Sequence, residues 1–134
     1  MIKKLLALTT TFEAATGLIL LVYPPVVVRL LFGAEMTGVG IVVSRIAGIS
    51  LIALGLACWP GRDAGNSAAR ALRAMLCYNL FATLYLAYLG LGGEWVGSLL
   101  WLAVAIHALW TFLLAHAWLI DQRARGVPTT FETK

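Results

Sequence analysis

Glu13, Arg45, Asn79 and His107 are the residues of this 134-residue chain best placed to do chemistry, because each interrupts an otherwise apolar run. A carboxyl group can hold or release a proton, and an imidazole can pass one on. An amide can donate and accept hydrogen bonds, and a guanidinium can neutralise a carboxylate or grip an anion. Inside a bilayer such groups are expensive. A central arginine or carboxylate costs about 2.5–3.5 kcal/mol on insertion scales, so ionisable residues there face a protein interior and find partners. The expected arrangement is therefore an ion pair between Glu13 and Arg45 from neighbouring helices. Asn79, Thr83 or His107 would complete the shell with hydrogen bonds.

Helical spacing supports one shared interior. Thr9, Glu13 and Thr16 fall on one face, Arg45 falls with Gly48, Ile52 and Gly55, Asn79 with Thr83 and Gly90, and His107 with Thr111. At 1.5 Å per residue, Glu13 and Asn79 lie about 12 Å from one membrane edge and Arg45 about 9 Å from the other, with a long stem to reach inward. The set Glu13, Arg45, Asn79, Thr83, Tyr85, His107 and Thr111 then lines a polar pocket near the midplane. Three readings stay open: a pocket that binds a ligand or relays a proton, a staple that only fixes helix register, or one group snorkelling with no pair formed.

Other chemistry is narrower. His107 and His116 are nine residues apart, about 180° around one helix, so they cannot bind one haem iron from a single chain. A quinone or a haem on one histidine is the cofactor class left open. No metal site is expected, because Cys58 and Cys77 belong to no paired-ligand spacing. Both cysteines fall toward the same membrane side and read as reduced and structural. Tyr78, Phe81, Tyr85 and Tyr88 form a helical stripe that either packs or walls a site for a flat lipophile.

The elements that must position these residues are transmembrane helices. The chain is 61% hydrophobic and 12% charged, with mean hydropathy +0.90, far too apolar for a soluble domain of this length. The net charge of +4 does not point to nucleic acid, because the charges sit at the ends of apolar segments rather than in an aromatic-laced patch. Four segments of roughly 20 residues, at 5–23, 39–59, 71–91 and 96–120, match a bilayer core of about 30 Å. Pro24-Pro25, Pro60-Gly61 and Gly92-Gly93 end the first three. The start Met-Ile-Lys-Lys resembles a signal peptide, but Glu13 breaks its apolar core and no small-x-small site follows, so an uncleaved first span is expected. Gly17, Ser44, Gly48 and Gly55 would allow close helix approach.

The fold expected is all-α, a four-helix transmembrane bundle in one domain over 1–120, with a polar cytoplasmic tail over 121–134. Eight of the ten Lys and Arg residues fall on one side (Lys3, Lys4, Arg62, Arg70, Arg73, Arg123, Arg125 and Lys134), which places both termini in the cytoplasm. Trp and Tyr residues cluster near both edges, Trp59 and Trp118 inside and Tyr23, Tyr88, Trp95 and Trp101 outside. The stretch "PPVVVRLLFGAEMTG" (24–38) is apolar but too short to span. It reads as an interfacial helix lidding the bundle, or as a loop clamped to the helix ends.

At "PPVVVRLLFG" and "SRIAGISLIALGLACWPGR" the chain resembles the DoxX-like group of small bacterial four-helix membrane proteins. The pattern is a proline ending the first helix, then Arg45, Gly48 and Gly55 in the second, then a basic loop. The resemblance implies a bacterial inner-membrane location and partnership with a membrane redox or quinone complex; it assigns no activity. "FEAATG" around Glu13 is similar to small multidrug transporters, but the eight-to-one charge bias and a cationic Arg45 beside the glutamate set this chain apart. The function expected is binding of a small lipophilic or anionic ligand, or service as an accessory subunit. A proton-coupled transporter using Glu13 is the alternative. The partners expected are the bilayer and further copies or a larger complex, and a non-enzymatic role is expected.

Overall fold

A computed structural model describes residues 2–61 and 66–125. It contains five helices: α1 (Ile2–Val22), α2 (Pro24–Phe32), α3 (Val39–Ala57), α4 (Asn66–Gly92) and α5 (Leu100–Arg125). No strand occurs among the described residues. By length and composition α1, α3, α4 and α5 can each cross a membrane. α4 starts before the apolar run does, because the Ala-rich, polar stretch from Asn66 is itself a good helix former. The first five residues assigned from sequence to the tail, 121–125, continue α5; Arg62 and 126–134 lie outside the described residues.

Of the two readings of 24–38, a helix rather than a loop is observed over Pro24–Phe32. Tyr23, at φ −140° and ψ 69°, breaks the chain between α1 and α2, because a residue before proline is disfavoured in the helical region. Pro24 and Pro25 then occupy the first turn, where a missing N–H costs nothing. Gly33, at φ 67°, ends α2 with its N–H on the Arg29 carbonyl.

The bundle is two antiparallel helix pairs. α1 packs along α3, and α4 along α5. The first pair is backbone on backbone: a Cβ on Gly17 would stand 2.6 Å from the Gly48 carbonyl oxygen, and one on Gly48 would stand 2.6 Å from that of Gly17. Further along, Gly55 faces the Thr10 carbonyl and the Ala14 side chain. In the second pair Gly90 makes room for the Trp101 ring. The pairs join where α1 meets α4 and α5. Leu6, Cys58, Leu72, Met75, Leu114 and Ala117 form the apolar core there, all near the amino-terminal end of α1.

At the opposite end the pairs are held apart and α2 fills the mouth. Its last carbonyls, which a helix leaves without partners, accept bonds from the turn before α5: Gly97 N–H to Leu31 O at 2.8 Å and Leu99 N–H to Leu30 O at 2.9 Å. A Cβ at Gly97 would overlap the Leu30 carbonyl group. Gly97→Ala should therefore unseat α2 at a cost of about 1–3 kcal/mol. Hydrogen exchange should show faster exchange for α2 amides and unchanged protection in the middle of α1.

Candidate functional site: a polar cluster against an apolar cavity

Midway along the bundle α1 contributes Glu13, α4 contributes Asn79 and Tyr78, and α5 contributes His107. Glu13 and Asn79 are completely buried and His107 nearly so. Asn79 Nδ2 donates to the Met75 carbonyl of its own helix at 3.0 Å. Its Oδ1 lies 2.9 Å from His107 Nδ1. The nearer Glu13 carboxyl oxygen, Oε1, is 3.8 Å from the same nitrogen, within ion-pair range but too long for a hydrogen bond. Tyr78 brings its hydroxyl within electrostatic reach of the Glu13 carboxyl, and its ring meets the His107 ring edge-on at 6.0 Å. Phe12 flanks the imidazole from α1, also edge-on, at 6.3 Å.

Neither Glu13 oxygen has a hydrogen bond of regular geometry among the described residues. Buried polar groups almost always have partners, and leaving one unmet costs about 1–3 kcal/mol. The Tyr78 hydroxyl is the group near enough to relieve that cost at Glu13; the threonine hydroxyls do not. Thr83 donates to the Asn79 carbonyl at 2.7 Å, and Thr111 to the His107 carbonyl at 2.8 Å.

Beside the cluster, toward α2, lies a cavity of about 310 Å³. Its walls come from α1, α2, α4 and α5, with Val27 and Leu31 of the lid on one side and Leu86 and Leu102 on others. His107 and Thr16 are its polar lining residues. The cavity exists because α2 spreads the helix ends above the tight core.

The structure brings together Glu13, Asn79 and His107, with Thr83 and Thr111 one turn away. It does not bring in Arg45 or Tyr85. Arg45 is exposed on the outside of α3, and the titratable partner of Glu13 is His107. The expected ion pair is absent because of register. Gly48 sits opposite Gly17 and Gly55 opposite Thr10 and Ala14, so Arg45 is level with the carboxyl end of α1, about 10–15 Å along the axis from Glu13. It also lies about 60° around α3 from Gly48, off the contact face. The anion-binding half of the sequence expectation leaned on this guanidinium and is not supported at the cavity. Arg45→Ala should change stability by less than about 0.5 kcal/mol, and its coupling to Glu13→Gln in a double-mutant cycle should be equally small. Chemical unfolding of the four proteins measures both.

Tyr85 is 63% exposed, as are Phe81 at 67% and Tyr88 at 71%, so the aromatic stripe faces outward. Tyr78 is its one inward member, because α1 lies against α4 only nearer the core end. Tyr78, Phe12 and Thr16 complete the site; the sequence puts Thr16 on the face of Glu13, leaves Tyr78 as packing or wall, and misses Phe12. The signal available was adjacency: Phe12 precedes Glu13 and Tyr78 precedes Asn79. Cys58 is buried and Cys77 exposed, and both are free thiols. No group of three or more metal-ligating side chains occurs among the described residues.

No family model, curated protein or solved structure matches the chain.

Proposed function

We propose that this chain is a multi-pass protein of a bacterial inner membrane, with both termini cytoplasmic, that holds a small lipophilic ligand in the cavity under α2. One observation carries the reading: an apolar, half-open cavity of about 310 Å³ is lined by a nearly buried histidine. Ligand sites of this kind are apolar concavities of about 300–1,000 Å³ with a few convergent polar groups. The polar cluster is the orienting end and the apolar walls accept the body of the ligand. With Arg45 outside, the lining carries no fixed positive charge, which favours a neutral ligand over an anion. Exposed Val39, Val42, Val43, Ile46 and Ile49 on α3 suit contact with lipid or with a larger membrane assembly, in keeping with the DoxX-like resemblance and an accessory role.

Native mass spectrometry of protein extracted in lipid nanodiscs tests the reading. A discrete small-molecule adduct should accompany the wild-type chain and disappear from Ala103→Trp, which fills the cavity. A wild-type chain without any adduct, and without uptake of added lipophiles, would overturn it. Proton-coupled transport through Glu13 is the competing result. It would appear as flux into liposomes that depends on a pH gradient and is abolished by Glu13→Gln.

A further inference from the structure

The hydrogen bonds behind His107 fix which of its nitrogens carries the proton, and so which end of a ligand can meet it. The Met75 carbonyl can only accept. The Asn79 group facing it at 3.0 Å must therefore be the NH₂, which turns the amide oxygen toward His107. That oxygen can only accept, so Nδ1 is the donor and carries the ring proton. Glu13 Oε1, the second group near Nδ1, is an acceptor too when ionised and favours the same tautomer. In the neutral ring, Nε2 is left as a bare acceptor with no hydrogen bond among the described residues, on a ring that lines the cavity.

The other polar lining group has the same character. The Thr16 hydroxyl donates to the Phe12 carbonyl at 3.0 Å, leaving only its lone pairs for a ligand. The Leu99 N–H is taken by the Leu30 carbonyl. The Trp110 indole N–H has no partner, but it is sealed from the cavity. The chamber thus offers acceptors and no free donor.

We infer that this cavity selects neutral lipophiles that present a hydroxyl hydrogen, such as phenols or long-chain alcohols, and discriminates against their ethers and ketones. The inference rests on the ligand-binding reading above and specifies its chemistry. A donor satisfies Nε2, whereas an ether or carbonyl oxygen meets it lone pair to lone pair and strands a buried acceptor. The expected preference is about tenfold or more.

Two measurements on the full chain in nanodiscs test it. The first is binding of 4-hexylphenol, 4-hexylanisole and 1-decanol, read by native mass spectrometry. The phenol should bind at least about tenfold more tightly than its methyl ether, and His107→Gln, which presents both donor and acceptor, should erase the difference. Decanol binding as well as the phenol assigns the site to hydroxyls generally; phenol alone assigns it to aromatic hydroxyls. Equal binding of phenol and ether overturns the inference and leaves the cavity a ligand site. No binding of any probe removes the ligand-binding reading itself. The second is nitrogen-15 NMR of labelled histidine in the protein without added probe. Nδ1 should show the protonated signature and Nε2 the unprotonated one. The reverse assignment overturns the inference whatever the probes do.

Discussion

Gly48→Leu should drive α1 and α3 apart and destabilise the bundle more than any other single substitution on α3. Even an alanine Cβ at this position would stand 2.6 Å from the Gly17 carbonyl oxygen and 2.8 Å from the Leu21 nitrogen. Both are backbone atoms that cannot rotate away. Overpacking of this kind costs about 1–3 kcal/mol for small additions and more for a branched side chain. A graded series follows from the contacts. Gly48→Ala and Gly17→Ala should cost the most among alanine variants along the α1–α3 contact. Gly55→Ala should cost less, since its nearest contact is the Thr10 carbonyl at 3.0 Å. Gly61→Ala should cost nothing through contacts, because a Cβ there meets no atom within 4 Å. Gly17→Ala and Gly48→Ala together should cost less than their separate effects added, because the first opens the gap that the second needs. Denaturant or SDS unfolding followed by tryptophan fluorescence measures each midpoint. A flat series would mean that α1 and α3 do not meet along these glycines.

The same glycines show what was legible in the sequence and what was not. Helix existence was legible, because runs of about 20 apolar residues leave the backbone no other way to satisfy itself in lipid. Close approach at Gly17, Gly48 and Gly55 was legible too, since small residues on one face have few other uses there. Register was not. Placing Arg45 near Glu13 used distance from the ends of each segment and a face shared with Gly48. Neither specifies which turn of α1 lies against which turn of α3, and a slip of two or three turns takes a guanidinium out of reach. Tyr85 failed for a related reason. A stripe says which residues share a side, but the helices diverge toward α2, so Tyr78 is covered and Tyr85, seven residues on, is not. The cavity itself follows from that divergence, which depends on α2 being seated by Gly97 and Leu99 across a sequence separation that no local pattern records.

His107→Leu should be the most damaging substitution in the polar cluster, and its rescue separates a working site from a staple. Removing the imidazole strands the Asn79 oxygen and takes from Glu13 the titratable group within ion-pair range. Each stranded group costs about 1–3 kcal/mol, so a loss of several kcal/mol is expected. Glu13→Leu, Asn79→Leu and His107→Leu combined should recover most of that loss. Well-packed apolar residues need no partners, and they often match or exceed the buried polar network they replace. Asn79 and His107 also sit on two helices that pack along one another through Gly90 and Trp101 without them. Stability by unfolding and adduct retention by native mass spectrometry are read on the same four proteins. A triple variant that folds firmly but no longer retains its lipophile places the cluster in binding. A triple variant that stays unstable, or loses its single well-packed state, means that Glu13, Asn79 and His107 are held in the membrane for helix registry, and that the orphaned carboxyl is a cost of specifying the fold rather than of recognising a ligand.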